Sequence, residues 1–267
     1  MCIRDSYYNW RFGKIYYTKK GKGSPLLLIH DTMPGASGYE WSRVEDQLAQ
    51  EHTVYTLDLL GCGRSEKAGI TYTNFLFVQI ICDFIKNVIK EKTDIIASGF
   101  SCSFVTTAAA YDKESINKIM FINPVSMISL AQTTTKKDKL FKFFIELPIF
   151  GTFIYHIIVS RETINDFFLD KLYYNPFHVD KDVLDAYYEA AHKGGYYAKC
   201  LYSSQSAKYM NINIRHAVES IDNSIYIVEG EDEPNGAAIV EAYQKVNPAI
   251  ESATIPCSKH FPHIENV

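Results

Sequence analysis

The sequence predicts an α/β protein with a mostly parallel sheet flanked by helices. Short runs of branched apolar residues alternate along the chain with longer segments in which apolar residues recur every three or four positions. One run, residues 25–30 (PLLLIH), is apolar almost throughout, as is typical of a strand buried on both faces. Strands that alternate with helices favour a parallel sheet, because a helix is the usual crossover between parallel strands.

The predicted elements follow one another regularly up to residue 125. The segment 140–159 is then strongly apolar, and Pro148 and Gly151 divide it into two short amphipathic helices. Strands are expected at residues 12–18, 25–30, 53–57, around 95–96, 116–122, 224–229 and 250–255. Helices are expected at residues 41–49, 74–90, 103–111, 164–172, 183–192 and 237–246.

The order of these elements divides the chain into two regions. We expect residues 7–125 and 214–267 to form the α/β core and residues 126–213 to form an inserted helical segment, the cap. Residues 1–6 (MCIRDS) resemble the translation of a sequencing adapter, and we expect them to be a non-native leader. The last motif of the chain would normally be followed by a helix, so we expect the sequence to be a fragment.

The composition of the chain argues against several classes of binding partner. The net charge of -4 offers no basic surface, so we expect no nucleic-acid partner. The six cysteines show no CxxC pair and no metal-ligand spacing, which predicts buried free thiols and no metal. We also expect no cofactor. Residues 1–10 lack the apolar segment of a signal peptide, so a cytoplasmic location is expected.

The apolar stretch in the cap raises the question of a membrane. Lys142, Glu146, Pro148 and His156 interrupt it, which argues against a membrane-spanning helix. We expect its apolar residues to form the underside of the cap, with no membrane contact.

Residues 93–103 (TDIIASGFSCS) join a short β-branched run to a helix that contains several alanines. The join reads Gly99-Phe100-Ser101-Cys102-Ser103 and matches the G-x-S-x-G pattern of a nucleophile elbow except at its last position. Such a turn strains the backbone of the serine and exposes its hydroxyl above the sheet. We therefore expect Ser101 to be a nucleophile.

Five motifs follow one another along the chain. They are His30-Asp31, residues 58–65 (DLLGCGRS), 99–103 (GFSCS), 230–234 (GEDEP) and 259–266 (KHFPHIEN). α/β-Hydrolases carry such motifs in the same order, and the chain after Trp10 resembles that family. The resemblance implies the α/β-hydrolase fold with a helical cap, and a hydrolytic activity. Asp31 departs from the family pattern, which has glycine after the histidine, and Ser103 departs from the last glycine of the elbow.

By this resemblance the catalytic triad is Ser101, His260 and an acid near residue 233. A serine hydroxyl needs a neutral imidazole to take its proton during attack, and the family places that imidazole at His260. Glu233 aligns with the family's aspartate, and Asp232, the shorter carboxylate one residue earlier, stays open as the alternative acid. The acid orients the imidazole and stabilises its protonated form. Asn123 lies where some relatives carry the acid, but an amide cannot supply the charge.

A tetrahedral oxyanion needs backbone N–H donors. The resemblance implies that the Cys102 N–H is one donor and that the loop after His30 supplies the other, at Thr32. The carboxylate of Asp31 would repel an oxyanion, so an active serine enzyme requires this side chain to turn away. We expect His30 to brace the loop rather than to transfer protons.

These observations predict a serine hydrolase that cleaves an ester, or a related acyl bond, of a small hydrophobic substrate through an acyl-enzyme. Relatives that open epoxides or carbon–halogen bonds use an aspartate nucleophile, and a serine at position 101 argues against both reactions. Two alternatives stay open: a carbon–carbon bond hydrolase or lyase with the same triad, and a non-catalytic ligand-binding protein of this fold.

Overall fold

An eight-stranded sheet runs through the structure, which is a computed structural model describing residues 4–266. The strands are β1 (Arg4–Trp10), β2 (Gly13–Gly21), β3 (Ser24–Ile29), β4 (His52–Leu57), β5 (Thr93–Ser98), β6 (Ile116–Ile122), β7 (Ile225–Gly230) and β8 (Glu251–Ile255). Their order across the sheet is β1-β2-β4-β3-β5-β6-β7-β8. From β4 to β8 every neighbouring pair is parallel, whereas β1 and β2 pair antiparallel. The predicted α/β class with a mostly parallel sheet is confirmed.

The carboxyl ends of the parallel strands meet at one edge of the sheet, where ligands bind in open α/β folds. The loop after β3 begins with His30 and Asp31, and the turn after β5 begins with Gly99. Asn123 follows β6, and the loop after β7 carries Glu233. The fold therefore brings residues that are far apart in sequence to one edge.

Twelve α-helices accompany the sheet within residues 4–266. They are α1 (Glu45–Leu48), α2 (Asn74–Phe84), α3 (Ser101–Tyr111), α4 (Met127–Leu130), α5 (Lys136–Glu146), α6 (Phe150–Ile158), α7 (Arg161–Phe167), α8 (Lys181–His192), α9 (Lys199–Ser206), α10 (Arg215–Ser220), α11 (Gly236–Val246) and α12 (Pro262–Glu265). Single π-helical turns extend α2 through Ile85–Ile89 and α7 through Phe168–Leu172. Short 3-10 turns occur at Gly38–Trp41, Pro176–His178 and Gly195–Ala198.

The largest apolar cluster joins the sheet to α2 and α3. Phe77 of α2 stacks on Phe104 of α3 with ring centroids 4.6 Å apart, and both side chains are fully buried. Burying one such side chain contributes about 1.5–3 kcal/mol relative to leaving it in water. This packing holds α3, and with it the turn after β5, against the sheet.

A second apolar cluster joins the cap to the last loop of the core. The centroid of the Phe168 ring lies 4.8 Å from the centroid of the Tyr187 ring and 6.3 Å from that of the Phe261 ring. Phe261 follows His260 directly, and the His260 N–H donates to the Leu172 carbonyl at 3.1 Å. The cap therefore helps to fix the position of the His260 backbone.

The helices α5 and α6 are divided near Pro148, as predicted, but they differ from the prediction in two respects. First, α5 begins at Lys136, before the start of the predicted apolar segment 140–159, because Thr135 and Asp138 form a capping box. Second, the expectation that their apolar residues form the underside of the cap is wrong for most of them. The solvent-exposed residues are Leu140, Phe141, Phe143, Phe144, Ile149, Phe150, Phe153 and Ile157.

Within residues 4–266, no single helix combines the length and the apolar composition that would cross a membrane. The pair α5 and α6 reaches that length and composition together, with a bend of 98° between the two helices.

The strand β1 is absent from the sequence-based prediction. Residues 4–6 belong to it, and Asp5 lies opposite Thr18 in β2. The Tyr16 hydroxyl donates to Asp5 Oδ1 at 2.9 Å. A polar and aromatic edge strand lacks the continuous apolar run that identifies a buried strand. The expected leader falls partly on residues 1–3, which lie outside the described part of the chain, and its non-native origin stays a prediction.

Candidate active site

The turn between β5 and α3 is built on Gly99. Its φ is +52°, a left-handed backbone conformation that favours glycine. Phe100 already has helical dihedral angles (φ -67°, ψ -30°), and Ser101 is the first residue of α3. The strained position expected at Ser101 is therefore at Gly99, two residues earlier.

Ser101 is fully buried, and its Oγ donates to the His30 carbonyl oxygen at 2.6 Å. The sequence predicts an exposed hydroxyl in contact with His260, and the structure differs on both counts. The hydrogen-bond partners of the His260 ring within residues 4–266 are Asp31 and Glu233. The difference arises because the turn is complete before Ser101, whose backbone already belongs to the helix.

Asp31 occupies the centre of the site. Its Oδ1 accepts hydrogen bonds from the Thr32 N–H at 2.6 Å and from the Phe100 N–H at 2.8 Å. Its Oδ2 lies 3.3 Å from His260 Nε2. The carboxylate therefore lies at the oxyanion position instead of turning away from it. Two backbone N–H groups and the His260 imidazole hold it there by donating hydrogen bonds.

We refer to the N–H groups of Thr32 and Phe100 as the cradle. The resemblance implies Thr32 and Cys102 as the oxyanion donors, and the structure places Thr32 and Phe100 on one oxygen. Phe100 takes this place because it is the residue that follows the left-handed turn at Gly99. The Cys102 side chain is buried against the Ala97 carbonyl, with Sγ 3.3 Å from the oxygen. Burial raises the pKa of this thiol well above its ordinary value, so it stays protonated.

His260 and Glu233 lie together, as the sequence predicts for a base and its acid. His260 Nδ1 is 3.2 Å from Glu233 Oε1. Asp232, the alternative acid, is exposed to solvent, and its N–H donates to the Ser258 carbonyl. Neighbouring residues of the loop thus face opposite sides, and Glu233 is the one that faces the imidazole.

Two carboxylates set the protonation of His260. Burial lowers the pKa of the imidazole, but its hydrogen bonds to Asp31 and Glu233 and the charges of both raise it, to a net value of about 10. Burial raises the pKa of Asp31, whereas His260 and the cradle lower it, and the net value is below the ordinary one. At neutral pH the site therefore holds an imidazolium between two carboxylates, and both ring nitrogens donate.

Two further side chains hold the loops in place. His30 Nδ1 faces the Asp31 carbonyl oxygen at 2.5 Å, and its Nε2 accepts from the Leu59 N–H at 3.0 Å. The expectation that His30 braces this loop is confirmed. Asn123 donates through Nδ2 to the carbonyls of Lys259 and His260, both at 2.8 Å. An amide at this strand end therefore positions the histidine loop, whereas a carboxylate offers no donor.

A buried polar cluster behind Asp31 is absent from the sequence-based prediction. The Glu40 side chain, 1% exposed, accepts from the Asp31 N–H at 3.1 Å and from the Ser98 hydroxyl. His263 Nε2 lies 3.4 Å from Glu40 Oε1, and its ring stacks on Trp41 at 4.6 Å. Nothing in the segment GYEW distinguishes this glutamate from an exposed one, because its partners come from the loop after β3, the end of β5 and α12.

The fully matched motif of residues 58–65 has a structural role. Asp58 accepts from the N–H groups of Gly38 and Arg64, both at 2.6 Å, and the Ser65 hydroxyl donates to the Asp58 carbonyl. These bonds close the loop after β4 upon the loop after β3, so the motif supports the site without reaching its centre.

The cavity beside the site is small. It lies between Thr32 and Met33 of the core and Tyr155, Leu201 and Tyr202 of the cap, and its volume is about 10 Å³. This space holds about one water molecule.

The sequence of this chain matches a family profile over most of its length and individual known proteins over less than half of it. A profile described as "Alpha/beta hydrolase family" matches residues 26–266. The 2-hydroxy-6-oxo-6-(2'-aminophenyl)hexa-2,4-dienoic acid hydrolase of Metapseudomonas resinovorans is 28% identical over 114 residues, which are 42% of this chain and 39% of that protein. The soluble epoxide hydrolase of Corynebacterium sp. (strain C12) is 29% identical over 109 residues, 41% of this chain and 37% of that protein. The aligned parts span less than two thirds of either relative.

Solved structures resemble the whole fold. A serine hydrolase involved in carbazole degradation, the CarC enzyme, has a TM-score of 0.79 at 18% identity, over 99% of this chain and 94% of that one. This likeness shows a shared fold. Because the family profile covers most of the chain and the eight-stranded sheet is mostly parallel, the predicted α/β-hydrolase fold is confirmed, and this chain belongs to the alpha/beta hydrolase family.

Proposed function

We propose that this protein is a hydrolase that acts on a small hydrophobic substrate, without a cofactor and without a nucleic-acid partner. The observation that carries the proposal is the position of His260. One ring nitrogen contacts Glu233, and the other faces the Asp31 carboxylate, whose second oxygen occupies the cradle where a reacting oxygen would bind. This is the arrangement that general acid–base chemistry beside an oxyanion site requires.

Each part has a defined role in this proposal. Glu233 holds Nδ1, so Nε2 is the nitrogen that exchanges protons with the substrate or with water. The N–H groups of the cradle stabilise negative charge on an oxygen at the position that Asp31 Oδ1 now occupies. Cap movement admits the substrate and then excludes water.

The prediction of an ester hydrolase with Ser101 as nucleophile requires two rearrangements. The Ser101 hydroxyl has to leave the His30 carbonyl and reach His260, and Asp31 has to leave the cradle. The triad would then form an acyl-enzyme that water hydrolyses. A carbon–carbon bond hydrolase with the same groups is the alternative that the dienoic acid hydrolase from Metapseudomonas resinovorans favours, through its 28% identity.

The non-catalytic alternative is favoured by one observation, namely that a carboxylate of the chain itself fills the cradle. A protein that only binds ligands needs no free oxyanion site. Turnover therefore decides between the two classes of function.

The experiment compares wild type, His260→Gln and the control His216→Gln, whose histidine side chain is 93% exposed. The substrates are 4-nitrophenyl esters of graded acyl length, a 2-hydroxy-6-oxo-dienoate and styrene oxide. We expect turnover of at least one class, a loss of about 100-fold or more in His260→Gln, and wild-type rates in the control. Absence of turnover of all three classes would support the non-catalytic alternative and contradict the proposal.

A further inference from the structure

We infer that Asp31 takes the place of the elbow nucleophile, and that its carboxylate attacks an electrophilic sp³ carbon such as that of an epoxide. This inference rests on the proposed function, because it uses the same His260–Glu233 pair. It replaces Ser101 in the role of nucleophile and names a substrate class.

The first step of the argument is the space above Gly99. A Cβ built on this glycine would lie 2.2 Å from Asp31 Oδ2 and 2.3 Å from Asp31 Cγ. The carboxyl group of Asp31 therefore fills the volume in which a side chain of residue 99 would begin. The left-handed turn of the elbow is present, but the functional group above it comes from the neighbouring loop.

The second step is the orientation of the two carboxylate oxygens. Oδ1 receives both N–H groups of the cradle, and Oδ2 faces His260 Nε2 at 3.3 Å. A carboxylate nucleophile needs this division of roles: Oδ2, whose hydrogen-bond partner is His260 Nε2, forms the new bond, and Oδ1 lies where negative charge later develops. Asp31 is 7% exposed, so its nucleophilic oxygen is shielded from bulk water until the cap opens.

The third step is the chemistry that a carboxylate can perform. If Asp31 attacked an ester carbonyl, the tetrahedral intermediate would expel the carboxylate again, because it is a far better leaving group than an alkoxide. Attack on an sp³ carbon has no such return path once the leaving oxygen is protonated. A strained epoxide is such an electrophile, and the imidazolium of His260 is the acid that its oxygen needs.

The proposed reaction has two stages, and atoms and charges balance in each. In the first, Asp31 Oδ2 forms a bond to the epoxide carbon, the ring C–O bond breaks, and the resulting alkoxide takes the proton from His260 Nε2. In the second, neutral His260 takes a proton from water, and the hydroxide adds to Asp31 Cγ with the oxyanion in the cradle. The intermediate expels the alkoxide, which takes the proton of the new carboxylic acid, so Asp31 and His260 return to their starting states.

This order of reaction steps predicts which molecule receives each oxygen atom. The diol keeps the epoxide oxygen and receives the former Oδ2, while the oxygen from water stays in Asp31. A single turnover of styrene oxide by excess enzyme in H₂¹⁸O, followed by digestion and mass spectrometry, measures both products. We expect a gain of about 2 Da, the ¹⁸O-for-¹⁶O difference, in the peptide that contains Asp31, and an unlabelled diol.

The other outcomes separate the two proposals. Label in the diol and none in Asp31 would overturn the inference and leave the hydrolase proposal standing, since water would then attack the epoxide directly. Turnover of 4-nitrophenyl esters without turnover of styrene oxide would likewise overturn the inference alone. Turnover of neither substrate would overturn the inference, and the dienoate assay would then decide the hydrolase proposal.

A variant series provides an independent readout. Asp31→Asn keeps an oxygen for the cradle but removes the nucleophile, and we expect it to lose at least about 1,000-fold of the epoxide activity. Asp166→Asn is the matched control at an exposed position. Loss of turnover in Ser101→Ala together with retention in Asp31→Asn would return the nucleophile to Ser101 and overturn the inference. If Asp31→Asn fails to fold, as circular dichroism would show, the oxygen label in the wild-type protein still decides.

Discussion

The carboxylate of Asp31 lies directly over Gly99 and leaves no room for a side chain there, since a Cβ on Gly99 would be 2.2 Å from Asp31 Oδ2. The two residues are 68 positions apart in the chain and belong to loops after neighbouring strands. Only glycine leaves the space that the Asp31 carboxylate fills, so the position of this carboxylate depends on the absence of a side chain at residue 99.

This relationship predicts the stability of Gly99→Ser. The variant should lose about 3 kcal/mol, because a left-handed residue with a Cβ costs about 1–2 kcal/mol and the collision with Asp31 adds a further overpacking cost. The matched control is Gly195→Ser, whose φ of +57° is similar but whose added Cβ would meet nothing within 4 Å. Urea denaturation should show the smaller cost of about 1–2 kcal/mol for the control.

The double variant Asp31→Gly/Gly99→Ser tests the same pair from the other side. Removal of the carboxylate relieves the collision, so the extra cost of Gly99→Ser should disappear in this background. A serine at position 99 would then lie beside the cradle and His260, and we expect ester hydrolysis to appear. Additive costs of the two substitutions would contradict the packing relationship.

The pH dependence of stability follows from His260. Its pKa is raised from 6.5 to about 10 by Asp31 and Glu233 against the opposing effect of burial. The stabilisation is therefore fully present below pH 6.5 and is lost as the pH rises towards 10, by about 1.4 kcal/mol per pH unit. Urea denaturation between pH 6 and 10 should show this slope in wild type and in His216→Gln, but not in His260→Gln. Equal slopes in all three proteins would mean that His260 titrates normally.

Asn123→Asp should displace the histidine loop. The change replaces an amide that donates to two carbonyls with a carboxylate that repels both, and we expect a cost of about 2–3 kcal/mol together with a loss of His260-dependent activity. Asn211→Asp is the matched control, because its amide also donates to two backbone carbonyls, those of Ser129 and Gln132, at an exposed site. Equal effects of the two substitutions would remove the positioning role of Asn123.

Glu233→Gln should cost at least about 100-fold in turnover, because the amide no longer stabilises the protonated imidazole. Asp232→Asn should stay near the wild-type rate, since Asp232 faces solvent. Steady-state kinetics with the best substrate of the panel measures both variants. The reverse ranking would move the acid to Asp232.

The sheet was predictable because its strands are locally encoded. The segment 116–122 forms β6 with the expected bounds, and the helix boundaries near residues 111, 192 and 246 also agree with the pattern. The cap was less predictable, because periodicity shows that α5 and α6 are amphipathic but not which side of the pair meets the core. Their aromatic residues are therefore exposed where burial was expected.

The sequence predicts which segments form the candidate site, but not which residue stands at the centre of the elbow. Small residues recur at positions 97, 99, 101 and 103, so the elbow pattern fits either Gly99 or Ser101 at its centre, and only the backbone angle at Gly99 distinguishes the two. Asp31 is visible in the sequence as a departure from glycine. The direction of its side chain depends on the N–H of Phe100, 69 residues away, and no local pattern contains that contact.

The central claim is that Asp31 and Glu233 hold His260 as an imidazolium, and ¹⁵N NMR of the His260 ring tests it most directly. A titration of wild type and Asp31→Asn from pH 5 to 11 would follow the protonation of both ring nitrogens. We expect wild-type His260 to stay doubly protonated through neutral pH and to titrate with a pKa of about 10, and the Asp31→Asn variant to titrate at least about one unit lower. A wild-type pKa near 6.5 that is unchanged by Asp31→Asn would contradict the account.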